Sequence, residues 1–113
     1  LTRDQTLLND LLRSGKLQPH EAQAARYRNV VLQALGIGQV RPELVPVAAL
    51  PGDVLVLADS GLYEPATEAT IASVLAGTSD LKVAAEGLVK AFREAQGWDD
   101  TTFILVRVEP QGA

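Results

Sequence analysis

Apolar positions along this chain recur with two periods, and the periods mark out its elements. From Thr6 to Arg13, the residues Leu7, Leu8, Leu11 and Leu12 form one stripe interrupted by Asn9 and Asp10, the spacing of an amphipathic helix. Thr6 or Asp4 is suited to cap its start, and Gly15 to end it. Pro19 opens a second helix through Glu21, Ala22 and Ala25, whose alanines predict light packing at the surface. Asn29 to Leu35 fits a short strand or a helical turn equally well, and Gly36-Ile37-Gly38 breaks it. Pro42 and Pro46 discourage helix beyond that point, so Leu44 to Val47 reads as an edge strand. Pro51-Gly52-Asp53 is a turn, and Val54 to Leu57 is a nearly all-apolar strand of the kind buried on both faces. Together these segments predict a hairpin centred on Pro51-Gly52.

The helical period returns further along. Thr67 is placed to cap a helix with Ile71, Val74 and Leu75 on one face, stopped by Gly77. A longer helix is predicted from about Leu81 to Gln96, with Leu81, Ala84, Leu88, Phe92 and Ala95 as its buried stripe. Lys82, Glu86, Lys90, Arg93 and Glu94 lie mostly off that stripe, and Glu86 and Lys90 are spaced as an i,i+4 pair. Gly97 ends this helix, and Thr101 to Val108 is the last strand. This mixture predicts an α+β fold in which helices cover an antiparallel or mixed sheet. No repeat or linker divides the 113 residues, so one domain is expected. The N-terminal part lacks a strong opening strand, and the fold reads as incomplete.

Composition narrows the classes. The chain is 47% apolar and 21% charged, which is globular, and its net charge of -4 disfavours nucleic acid and anionic membrane as partners. With no cysteine it has no disulfide, thiolate or zinc–sulfur chemistry, which fits a reducing compartment and a cytoplasmic location. The single histidine, His20, cannot build a histidine-rich metal site and reads as an exposed surface residue beside Glu21. No apolar run approaches the ~18 residues of a membrane span. No signal peptide is visible, and the opening Leu1-Thr2-Arg3-Asp4, without methionine, suits processing or cleavage of a longer chain.

Two segments carry the candidate chemistry. In Val54-Leu55-Val56-Leu57-Ala58-Asp59-Ser60-Gly61 an apolar strand delivers an acid to its C-terminal end. In Gly97-Trp98-Asp99-Asp100-Thr101-Thr102 a tight turn delivers two acids to the start of the next strand. Carboxylates gathered on rigid strand ends hold hard cations such as Mg²⁺ or Mn²⁺. Ser60 is suited to hydrogen-bond a phosphate or a water, and Gly61 permits a tight turn or a close backbone approach. Each segment also suits a plain polar turn, and Trp98 suits apolar packing. Phosphate-loop and dinucleotide signatures are absent, and Gly36-Ile37-Gly38 is too short to supply either.

These residues resemble the metal-dependent serine/threonine protein phosphatases of the PP2C type (the PPM family), especially the compact bacterial ones. Leu1-Thr2-Arg3-Asp4-Gln5 is similar to the family's threonine–aspartate–histidine segment, with Gln5 where histidine is usual. Residues 5–28 resemble its helical flap, including Gly15 and the start Pro19-His20-Glu21-Ala22. Arg28 to Gly36, the stretch Leu50 to Leu57, and Gly97-Trp98-Asp99-Asp100 follow in the family's order. The likeness covers nearly all of the chain, but only the C-terminal half of such an enzyme.

The resemblance implies part of a β-sandwich of two antiparallel sheets flanked by helices, with residues 1–113 as the C-terminal portion of one phosphatase domain. It implies a cluster of two Mg²⁺ or Mn²⁺ ions, a metal-bridging water attacking phosphorus in line, and phosphoserine or phosphothreonine in proteins as substrate. It makes Asp99 a metal ligand, with Asp59 as a second candidate and Ser60, Gly61 and Asp100 beside the site. There is one important departure. The family's other metal aspartate falls on Ser60, because this chain reads Ala58-Asp59-Ser60-Gly61 where the family reads serine–aspartate–glycine. Asp59 is one step out of register, and neighbouring residues on a strand face opposite ways. The remaining metal aspartates and the phosphate-binding arginine belong to the family's N-terminal half. The expected partner is therefore that half or an equivalent chain, and the isolated chain is expected to be inactive. The alternative is a catalytically impaired phosphatase-like domain that acts by binding.

Overall fold

The computed structural model describes residues 1–18, 20, 31–97 and 100–112. They separate into two compact units, Leu1–Val47 and Ala48–Ala113.

Among its described residues the N-terminal unit contains one α-helix, α1 (Leu7–Arg13), and no strand. Thr6 caps it as expected, its hydroxyl accepting from the Asn9 N–H at 3.2 Å. Gly15 follows in the left-handed region at φ 74° and is where the helix stops. Polar links join the described residues outside α1. The Leu32 N–H donates to the Gln5 carbonyl at 2.7 Å, and the Gln33 side-chain amide donates to Gln5 Oε1 at 3.0 Å. Gln33 Oε1 in turn accepts from the Arg41 N–H at 2.6 Å. Within the segment from Asn29 to Leu35, Val31 and Ala34 make isolated bridges, to Thr6 and Ile37, and no strand forms among the described residues. The helix expected from Pro19 through Ala25 lies outside the described residues, apart from the exposed His20.

The C-terminal unit carries the core. Its elements in order are β1 (Val54–Ala58), α2 (Ser60–Tyr63), α3 (Glu68–Ala76), α4 (Leu81–Glu94) and β2 (Phe103–Arg107). β1 and β2 pair antiparallel, from Val54 opposite Arg107 to Ala58 opposite Phe103. The predicted Pro51-Gly52 turn is present: the Asp53 N–H donates to the Leu50 carbonyl at 3.0 Å, and Gly52 sits at φ 92°. The hairpin expected around it does not form. Leu44–Val47 is not a strand, and β1 takes as partner a strand distant in sequence. A segment with prolines at both 42 and 46 is short of ladder donors, whereas Phe103–Arg107 offers an unbroken set.

Leu62 and Leu88 are fully buried, and Ala66, Ala84 and Ala91 complete the core. On α4 the expected stripe is buried at Ala84 and Leu88 and half-buried at Leu81 and Phe92, while Ala91 is buried and Ala95 is exposed. Asp80 caps α4 through bonds to the N–H groups of Lys82 and Val83 at 2.8 and 3.3 Å. Gly87 lets α4 approach α3, since a Cβ there would lie 2.8 Å from Val74 Cγ1. The end of α4 departs from the simple glycine stop. Gln96 takes the left-handed position at φ 57°, and Gly97 follows it. The Gly97 N–H donates to the Phe92 carbonyl and the Gln96 N–H to that of Arg93, a Schellman closure. Gly97 is needed for a different reason: any side chain there would overlap the Phe92 ring.

β1 was expected to be buried on both faces, and it is not. Leu57, Ile104 and Val106 are 54%, 57% and 42% exposed. Register puts Leu57 opposite Ile104 and Leu55 opposite Val106, so these four share one face of the ribbon. On the other face, Val54, Val56, Ala58, Phe103 and Leu105 are half-buried.

Candidate functional site

The antiparallel register decides what meets at the end of the ribbon. Because Ala58 faces Phe103, the turn after β1 lies beside the turn before β2. Asp59 is the hinge residue. Its N–H continues the ladder to the Thr102 carbonyl at 3.3 Å, while its own carbonyl turns away to accept from the Leu62 N–H at 3.2 Å, in the first turn of α2. That leaves the Thr102 N–H without a backbone acceptor across the ladder, and the Asp59 carboxylate supplies one. Oδ2 accepts from the Thr102 N–H at 3.1 Å, and Oδ1 accepts from the Thr101 hydroxyl at 2.8 Å.

Gly61 brings the turns to contact. A Cβ at this position would stand 2.6 Å from the Asp100 carbonyl oxygen and 3.1 Å from Thr101 Cβ. Only a residue without a side chain permits that approach. The close backbone approach expected of Gly61 is therefore made to the protein's own Asp100 backbone.

The Asp59 carboxyl is held below its usual range, first by the Thr101 hydroxyl. Desolvation opposes this, and the Thr102 amide adds to it. The Gly61 and Leu62 amides add smaller pulls, although neither makes a capping hydrogen bond of ordinary geometry to the side chain. Asp59, Ser60 and Asp100 are all exposed, so the site is a surface feature of the ribbon end.

The structure thus brings Asp59, Ser60 and Gly61 beside Asp100; Asp99 lies outside the described residues. Among the described residues no cluster of three or more acids or histidines is placed to hold a metal ion. Among the described residues, the donors at this ribbon end are one carboxylate engaged by two hydrogen bonds, the Ser60 hydroxyl and the Asp100 side chain. That set does not fit a two-metal centre by itself. Sequence reasoning missed Thr101 and Thr102 as the partners of Asp59. The signal was available in principle, because an antiparallel pairing of the two apolar runs that matches Ala58 to Phe103 puts Asp59 opposite Thr102.

By sequence and fold the chain matches a C-terminal portion of the PP2C-type serine/threonine phosphatases, the PPM family. It is 34% identical to protein phosphatase PhpP of Streptococcus pneumoniae over all of its own length and 46% of that protein's. It is 30% identical to the serine/threonine phosphatase of Listeria innocua, across 94% of this chain and 42% of the relative. Among solved structures, the Streptococcus agalactiae serine/threonine phosphatase superposes with a TM-score of 0.87 at 33% identity, covering 96% of this chain and 46% of that one. The PPM phosphatase of Mycobacterium smegmatis, solved with cacodylate, gives 0.78 at 34% identity, covering 96% and 47%. No protein-family model matches the chain. The chain spans about half the length of the curated relatives it matches.

Proposed function

We propose that this chain is the C-terminal portion of a single phosphatase domain that hydrolyses phosphoserine or phosphothreonine in proteins, and that its ribbon end contributes to a Mg²⁺ or Mn²⁺ site completed by residues outside the chain. The observation that carries the reading is the register of β1 and β2, which seats the Asp59-Ser60-Gly61 turn against the turn that begins at Asp100. Bound metal in such enzymes activates water and stabilises charge on the transferring phosphoryl group. This chain's contribution is to hold a rigid strand-end platform, with Asp99 as the proposed ligand. The exposed face of Leu55, Leu57, Ile104 and Val106 supports assembly with the rest of the domain, since an apolar ribbon face of this kind is where a second sheet packs.

The test uses the complete domain. Release of phosphate from a phosphothreonine peptide is expected to require Mn²⁺ or Mg²⁺ and to be lost in Asp99→Asn. The isolated 113-residue chain is expected to release none.

The hydroxyl at Ser60 favours a second reading, an impaired domain that works by binding, because a neutral oxygen is a weaker ligand than a carboxylate for a hard cation. Calorimetry separates the two. Tight Mn²⁺ binding by the wild-type domain supports the enzyme, whereas binding that appears only in Ser60→Asp supports the impaired form.

A further inference from the structure

We propose that Asp59 is a positioning residue, a clasp that fixes the Ser60-Gly61 turn against the Asp100-Thr101-Thr102 turn, and does not itself ligate metal. Three features of the ribbon end lead to this. The first is that the carboxylate links residues 42 and 43 positions apart in sequence, through Thr101 and Thr102, using one oxygen for each. The second is that it fills a specific vacancy in the ladder. The Asp59 carbonyl is committed to α2, so the Thr102 N–H has only the Asp59 side chain to receive it across the strands. The third is the bare Gly61, which places the Asp100 carbonyl in contact with the same turn. A metal that drew the Asp59 carboxylate out of this geometry would release the Thr101 hydroxyl and the Thr102 amide, and with them the link between the two turns.

This accounts for an acid at position 59 when the comparison with phosphatases points to position 60. The acid at 59 completes backbone pairing at the strand end, a task set by the register and independent of any ion. The metal-facing part of the proposal rests on the phosphatase reading above; the clasp itself does not.

The test uses the complete domain with Asp59→Ala, Asp59→Asn, Thr101→Val and Thr101→Ser. Two quantities are read: hydrogen exchange at the Thr102 amide by NMR, and Mn²⁺ affinity by calorimetry. Asp59→Ala removes a charge-assisted acceptor, so Thr102 exchange is expected to rise about tenfold or more and Mn²⁺ binding to weaken with it. Asp59→Asn keeps an acceptor for the amide and a group that can bond the Thr101 hydroxyl oxygen, and is expected to stay within about threefold of wild type in both readouts. Thr101→Val is expected to follow Asp59→Ala in part, and Thr101→Ser to restore wild-type behaviour. Combining Asp59→Ala with Thr101→Val should add nothing to Asp59→Ala alone, because one link has already been cut.

The clasp is overturned if Asp59→Ala and Thr101→Val leave Thr102 exchange unchanged. It is equally overturned if Asp59→Asn loses Mn²⁺ as completely as Asp59→Ala while Thr102 stays protected, the signature of a ligand. Should the wild-type domain bind no Mn²⁺, the metal-site reading fails and the exchange arm still decides the clasp. Should Asp59→Ala not fold, the Thr101 pair and Asp59→Asn carry the decision.

Discussion

The C-terminal unit encloses Leu62 and Leu88 completely, whereas none of the described residues of the N-terminal unit is buried. The two are held by different forces. In the first, apolar side chains leave water between a ribbon and helices that approach closely through Gly87 and the alanines of α4. In the second, Gln5, Gln33 and the Arg41 amide form a chain of polar links, while Leu1, Leu35 and Leu44 are 82%, 92% and 88% exposed. A seven-residue helix such as α1 is too short to be stable by itself. The candidate site stands on the unit that has a core, and its two strands are fixed to each other by a five-pair antiparallel ladder.

The largest effect that tests this contrast is expected from Leu88→Ala. Removing a fully buried leucine costs roughly 2–5 kcal/mol, so urea denaturation of the C-terminal unit should move well below wild type. Amide exchange in α1 should not follow. Equal loss of protection in both units would break the comparison, since it would mean that they share one cooperative core. Gly61→Ala comes next. Its methyl group must displace the Asp100 carbonyl or spread the turns, which costs about 1–3 kcal/mol by overpacking and should expose the Thr102 amide. A variant with wild-type stability and exchange would show that the turns have room to part without cost.

The same contrast explains what could be read from the sequence. The caps at Thr6, Thr67 and Asp80, the helical stripes and the Pro51-Gly52 turn are local features, governed by residues three or four apart. Asp80, directly before Leu81, carries the usual cap signal as well. Strand pairing is a different matter. Val54 to Leu57 could be recognised as a strand, but its partner lies dozens of residues away, and proximity in sequence pointed to Leu44–Val47 instead. The burial of Val54–Leu57 was misjudged locally, because continuous apolar sequence signals two covered faces, although part of a β-sandwich is expected to leave an apolar face exposed. At the site, Asp59 and Gly61 were legible as residue types suited to a strand end. The bonds to Thr101 and Thr102 were not, because they follow from a register that only the pairing sets.

Matched cap deletions sharpen the comparison at smaller cost. Asp80 receives two N–H groups, from Lys82 and Val83, and Thr6 receives one, from Asn9. Each cap is worth about 1 kcal/mol to its own helix. Asp80→Ala is expected to lower the denaturation midpoint of the whole C-terminal unit, because α4 supplies the buried Ala84, Leu88 and Ala91. Thr6→Ala is expected to speed exchange in α1 and leave that midpoint unchanged, since α1 contributes no buried residue. A midpoint lowered equally by both would show that α1 is coupled to the core.

The smallest expected effect is one of pH, and it returns to the ribbon end. The Asp59 carboxyl is lowered from the ordinary 3.8, chiefly by the Thr101 hydroxyl. A group whose folded value is depressed stabilises the fold fully above its unfolded value, and that contribution is lost as pH falls through the folded one. The window therefore lies below about pH 4, and stability near neutral pH should not depend on this titration. Because the side chain is exposed, water screens the interaction and the effect should be modest. In acid denaturation of the C-terminal unit, Asp59→Asn should flatten the wild-type slope in that window, and Thr101→Val should shift the Asp59 titration back toward its ordinary value. If both variants retain the wild-type slope, the carboxylate is not bonded to Thr101 in solution, and the firm seating of the two turns on the ribbon loses one of its two side-chain links.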